Sequence, residues 1–156
     1  MPPHAQARTG LEIDYATHTI RFVRSFDAPA AVVFEAWTRP EHIRCWWDAS
    51  GEPLTVCEID LRPGGAFRFV TRGHPDMPFA GVYLEIAPPD RLVFEALNST
   101  GRVQFTSAGD KTRMTVEITC KSAEQLEQFL KMGVDAGTSQ TLDNLLAYIQ
   151  RQGVVA

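Results

Sequence analysis

Histidines and cysteines are the side chains of this 156-residue sequence best suited to covalent or metal chemistry, yet their spacing gives them no partners. Nucleophilic catalysis needs an activated Ser or Cys beside a base. His4, His18, His42 and His74 instead fall in the N-terminal segment, a strand start, a short helix and a polar loop. His74 precedes Pro75-Asp76, and no second ligand lies at helical or hairpin spacing, so a solvated turn residue is expected and no metal site. Cys45, Cys57 and Cys120 are odd in number and form no C-x-x-C pair, which argues against a zinc knuckle or a closed disulfide framework. Buried free thiols in a reducing compartment are expected. Glu58, Asp60, Glu85, Glu95 and Glu117 lie on strand-like segments, with Asp60 two residues from Arg62, and structural ion pairs are their expected role. Pro63-Gly64-Gly65 leads into a strand, so it lacks the helix start of a phosphate loop. No catalytic residue, metal or cofactor is assigned.

The aromatic and hydroxyl side chains offer more. Trp37, Trp46, Trp47, Phe67, Phe69, Phe94 and Phe105, together with Phe79, are available to line an apolar interior, mixed with Met114, Met132 and Leu142. Most such rings serve ordinary packing, and the remainder would form the walls of a cavity. Tyr83, Thr138 and Thr141 are the candidate polar handles, because they can donate or accept hydrogen bonds beside apolar walls.

These side chains need elements to hold them. T-I-R-F-V-R-S-F at 19–26 alternates as a first strand, perceptible from about Leu11. Asp27-Ala28-Pro29 then signals a helix start ahead of Val32 to Trp37, and Pro40 opens a second short helix. Strand-like segments follow at 54–61, 66–71, 79–87, 91–97, 102–107 and 112–120. Arg62-Pro63-Gly64-Gly65 has the chemistry of a type II turn, and Asn98 to Gly101 reads as another reversal. Met114, Val116, Ile118 and Cys120 alternate with Arg113, Thr115, Glu117 and Thr119, giving one dry and one wet face. Ser122 with Gln125 reads as a capping box opening a helical stretch to about Gln152. Gly133 and Gly137 interrupt that stretch at up to about 1 kcal/mol each relative to Ala. Close packing or a break between two helices explains them most simply, and room for a ligand is the alternative. The pattern is α+β, with residues 1–10 as a terminal tail and 11–156 as one domain.

A formal charge of −4 and a pI near 5.5 give no electrostatic reason to approach a polyanion, so nucleic acid is not an expected partner. No apolar run is long enough to span a bilayer, no secretory signal is legible, and a cytoplasmic location is expected.

F-D-A-P at 26–29, V-F-E-A-W at 33–37, W-W at 46–47, D-L-R-P-G-G at 60–65, G-V-Y-L-E-I at 81–86 and P-P-D-R-L-V-F at 88–94 occur in one order. Together they resemble the heat-shock-protein-90 ATPase activator homologue family, within the START-like, polyketide-cyclase-like helix-grip superfamily. The resemblance implies a curved antiparallel sheet of six to seven strands wrapped around a long C-terminal helix, two short helices after the first strand, and a cavity between sheet and helix. It implies small apolar molecules as ligands. Two departures stand out. Gly137-Thr138 occupies a place where the family often has Gly-Trp, and the segment after Phe94 is shorter than the usual pattern.

The leading expectation is a noncatalytic binding domain for a small hydrophobic molecule, with Trp37, Trp46, Trp47, Phe67, Phe69, Tyr83, Phe94, Phe105, Met132, Thr138, Thr141 and Leu142 as its contact set. A co-chaperone acting on a heat-shock ATPase and a cyclase, aromatase or hydrolase-like enzyme are the alternatives. A second copy of the chain and a heat-shock ATPase are the candidate protein partners.

Overall fold

The computed structural model describes residues 10–153, so the expected terminal tail lies, Gly10 excepted, outside the described residues. In chain order the elements are β1 (Leu11–Asp14), β2 (Thr19–Phe26), α1 (Ala30–Thr38), α2 (Pro40–Ile43), β3 (Val56–Ile59), β4 (Ala66–Val70), β5 (Phe79–Ala87), β6 (Arg91–Ala96), β7 (Ser99–Ala108), β8 (Lys111–Thr119), α3 (Ala123–Lys131) and α4 (Val134–Gly153). All the strands join one antiparallel sheet in the order β1-β2-β8-β7-β6-β5-β4-β3. The sheet thus has eight strands where six to seven were expected, and the short helices follow the second strand.

The extra strand comes from a reversal that carries no glycine or proline. The Asp14 carboxylate accepts from the N–H groups of Ala16 and Thr17, at 3.0 and 3.3 Å, and His18 takes a φ of 56°. A side chain imitating a backbone acceptor thereby folds the segment from Leu11 back along β2. Elsewhere the turn chemistry is as expected: the Gly65 N–H donates to Arg62 O at 2.8 Å and Gly64 sits at φ 84°, a type II geometry.

The terminal helical stretch is two helices. Ser122 Oγ caps α3 by accepting from the Gln125 N–H at 3.1 Å, and Gln125 Oε1 accepts from the Lys121 N–H at 2.6 Å. The chain then passes through Gly133 at φ 79°, a left-handed joint that closes α3 and redirects the chain into α4. Gly137 lies inside α4.

Alternation builds the core. Phe22, Val116 and Val103 sit opposite one another across β2, β8 and β7, as do Met114 and Phe105 across β8 and β7, and all are buried. Leu142, Leu145 and Ile149 of α4 supply the opposing apolar face. α1 and α2 close one end: Trp37 Nε1 donates to Met114 Sδ at 3.2 Å, and Trp46 Nε1 donates to Ala36 O at 3.0 Å. The thiols depart from expectation, since Cys120 is buried, Cys57 half-buried and Cys45 exposed at the end of α2.

Candidate binding site

Side chains do not fill the whole space between the sheet and α4. A recess of about 300 Å³ remains, walled on the sheet side by Phe94, Gly101, Val116 and Ile118 and on the helix side by Val134, Gly137, Thr138, Thr141 and Leu142. Trp37, Trp47 and Phe79 close one end, Phe129 of α3 adds to the wall, and the exposed residues Ala49 and Leu97 border the opening.

Two glycines shape it. Phe94 and Gly101 are opposite one another in the β6–β7 register, and a Cβ on Gly101 would fall 2.5 Å from the Phe94 ring. The missing side chain lets the ring lie across β7 as a wall. At Gly137 a Cβ would meet no atom within 4 Å, so this residue faces open space.

The rim turn joins β6 to β7 through Leu97 and Asn98, with φ values of 54° and 60°. Both central residues are left-handed, as a two-residue type I′ hairpin requires. Leucine rarely takes this conformation, which is why the turn appears at Asn98 to Gly101 when read by residue type. Gln125 Nε2 holds the turn to α3 by donating to Leu97 O and Asn98 O at 3.0 and 3.2 Å. Ser99 and Gly101 are consequently strand residues facing the recess.

Among the described residues the lining carries hydroxyls and no ionisable side chain. Thr141 Oγ1 donates to Trp47 O at 3.1 Å, and Ser99 Oγ donates to Ala96 O at 2.8 Å. Asn144 Nδ2 also donates to Asp48 O at 3.1 Å, so α4 grips the segment that carries Trp47.

Of the twelve residues anticipated from sequence, Trp37, Trp47, Phe94, Thr138, Thr141 and Leu142 line the recess. Phe67, Phe69 and Tyr83 stand behind Phe79 and Phe94 around a crevice of about 10 Å³, room for one water at most. Burial there, and secondarily the nearby Cys57, push the Tyr83 phenol upward, so it stays a neutral hydroxyl. Trp46 is sealed in the core, and Phe105 packs edge-on against Phe34 at 5.7 Å between ring centroids. Met132 ends α3 with 70% of its surface exposed and is not among the lining residues. Val116 and Ile118 were legible as the dry face of their strand but had no role assigned. Gly101 and Ser99 were hidden by the misplaced turn.

Of the anticipated carboxylates, Asp60, Glu85, Glu117 and, at 4.0 Å from Arg68, Glu58 are paired with arginines, whereas Glu95 has no ion pair among the described residues. Arg62 Nε meets Asp60 at 2.9 Å, Arg21 Nε meets Glu117 at 2.8 Å, and Arg91 Nη2 meets Glu85 at 2.6 Å. The hydrogen bond from Arg91 holds the Glu85 carboxyl below its ordinary range. Away from the recess, His42 Nδ1 and Tyr148 Oη lie 2.5 Å apart and tie α2 to α4.

The family model for Activator of Hsp90 ATPase homolog 1-like protein matches residues 27–150, most of the chain. The chain belongs to this family. Among solved structures, protein Ms6760 from Mycobacterium smegmatis is 25% identical, with a TM-score of 0.80 over 92% of this chain and 98% of that one. Protein NE0264 from Nitrosomonas europaea is 23% identical, with a TM-score of 0.81 over 91% of this chain and 99% of that one. An AHSA1-like protein from Aeromonas hydrophila is 24% identical, with a TM-score of 0.69 over 85% of this chain and 94% of that one. No curated protein matches the sequence. This member of the Hsp90-activator-homologue family has a helix-grip fold, and its Thr138 lines the recess at the place where the resemblance puts a tryptophan.

Proposed function

We propose that this chain is a noncatalytic receptor for a small hydrophobic molecule, held in the recess between the sheet and α4. The observation that carries this reading is a space of about 300 Å³ whose lining is aromatic, aliphatic and hydroxyl-bearing, without an ionisable group. Small-molecule sites have this composition, with few polar groups among apolar walls, and volumes from about 300 Å³ upward. General acid–base catalysis would need a titratable group within hydrogen-bond reach of the substrate, and the lining offers none.

The size of the recess sets an affinity scale. A ligand burying about 200 Å² of apolar surface would gain about 5 kcal/mol gross, and association costs reduce that to about micromolar binding or weaker. Thr138→Trp is the discriminating variant. A large ring at this half-buried position should occupy the recess while leaving the fold intact. Thermal-shift measurement across a library of small apolar compounds should give stabilised melting for the native chain and no shift for Thr138→Trp. A native chain indifferent to the whole library would remove the reading.

Family membership supports a second reading, a protein-interaction module acting on a heat-shock ATPase. It requires the purified chain to raise ATP turnover by the cognate ATPase, and an unchanged rate over a range of concentrations counts against it.

A further inference from the structure

We infer that the recess selects uncharged ligands that bring their own hydrogen-bond donor, as an alcohol or phenol does. This rests on the receptor reading above and specifies the chemistry of its ligand.

Charge is disfavoured by the lining itself. Among the described residues no ionisable side chain faces the space, so a carboxylate or ammonium entering it would leave water without a counter-charge. The direction of the hydrogen bonds is the second constraint. Thr141 gives its hydroxyl proton to Trp47 O, and Ser99 gives its proton to Ala96 O. Each hydroxyl has one proton, so both turn only lone pairs toward a ligand. Both residues are buried, at 9% and 6% exposure, which makes an unmet polar contact costly. A ligand O–H pointing at Thr141 would extend a chain from ligand hydroxyl to Thr141 Oγ1 to Trp47 O, in which each bond polarises the next. An ether or ketone at the same place would meet lone pairs with lone pairs. Thr138, three residues before Thr141 on the same face of α4, is the third lining hydroxyl; it is half-buried and can donate as well as accept, so the donor rule is set by the buried pair Thr141 and Ser99. A volume of 300 Å³ equals about ten water molecules at ~30 Å³ each, which suits a fused two-ring alcohol.

The test uses four probes of one shape on the whole chain: 2-naphthol, naphthalene, 2-methoxynaphthalene and 2-naphthoate. Isothermal titration or competition against a fluorescent apolar dye gives the four dissociation constants. The inference requires 2-naphthol to bind about 3- to 10-fold tighter than naphthalene or the methyl ether, the usual worth of one hydrogen bond. It requires 2-naphthoate to be weaker than 2-naphthol by about 100-fold or more. Thr141→Val removes the acceptor and with it the bond to Trp47 O, so the readout is a ratio: whatever loss is common to all probes, the about 3- to 10-fold advantage of 2-naphthol over naphthalene should fall to about 1. Ser99→Ala is the companion variant should Thr141→Val fail to fold. Equal binding of the ether or the carboxylate, or variants that weaken naphthalene as much as naphthol, would overturn the donor rule and leave the receptor standing. Failure of all four probes would overturn the donor rule, and the receptor reading falls with it only where the apolar library gives no thermal shift either.

Discussion

At the scale of the residue, two glycines four positions apart should answer the same substitution with opposite signs. Gly133 sits at φ 79°, where an L side chain is strained, and Gly133→Ala is expected to destabilise the chain by about 1–2 kcal/mol. Gly137 lies in the interior of α4 and a Cβ there would meet nothing within 4 Å, so Gly137→Ala should stabilise by about 0.5–1 kcal/mol. Urea unfolding of the two variants beside the native chain checks this, and shifts of the same sign would contradict the joint described here. Both glycines were visible in the sequence as interruptions. What separates them is backbone conformation, which residue type does not encode: one supplies a left-handed joint, and the other leaves space.

At the scale of the element, α3 depends on its first turn. Ser122 accepts from the Gln125 N–H, and the Gln125 side chain both accepts from Lys121 N and donates to the rim turn. Ser122→Ala should cost about 1 kcal/mol by loss of the cap. Gln125→Ala should in addition loosen the turn at Leu97 and Asn98, seen as faster amide hydrogen exchange there than in Ser122→Ala. Equal exchange in the two variants would mean that Gln125 does not restrain the rim. Elements announced by strong local chemistry were legible in advance: Pro at the starts of α1 and α2, Pro-Gly at the β3–β4 turn, the capping serine of α3, and alternation along β8. The two missed features are reversals closed by unusual means, an Asp14 carboxylate in one and a left-handed leucine in the other. Two lining residues follow from the second, because a turn placed two residues too late removes Ser99 and Gly101 from the strand that carries them. The aromatic set was visible by type, but which rings bound empty space and which only pack depends on long-range register, and local sequence does not determine that.

At the scale of the whole molecule, burial links stability to alkaline pH. Desolvation raises the Cys57 thiol from its ordinary 9.0 to about 11, against a smaller lowering by Arg44 and a smaller raising by Cys45. The folded chain therefore holds this proton more tightly than the unfolded chain. The stabilisation is fully present below pH 9.0 and is lost as pH rises toward about 11. Tyr83 acts with the same sign. The urea midpoint of the native chain should consequently fall between pH 8 and pH 11 by more than that of Cys57→Ala, and parallel profiles would show that the thiol is not desolvated in solution.

The strand order places β2, from the beginning of the chain, beside β8, near its end, with Phe26 opposite Thr112. From β3 to β8 each strand neighbours the next, so this meander can grow by successive local hairpins, whereas seating β2 demands closure of a very long loop. β2 contributes Ile20, Phe22 and Phe26 to the concave face, and α4 packs directly against it. The seat of α4 on β2 is therefore expected to form late as the polypeptide folds. A ligand that bound only the finished architecture would slow its unfolding and leave the rate of folding unchanged.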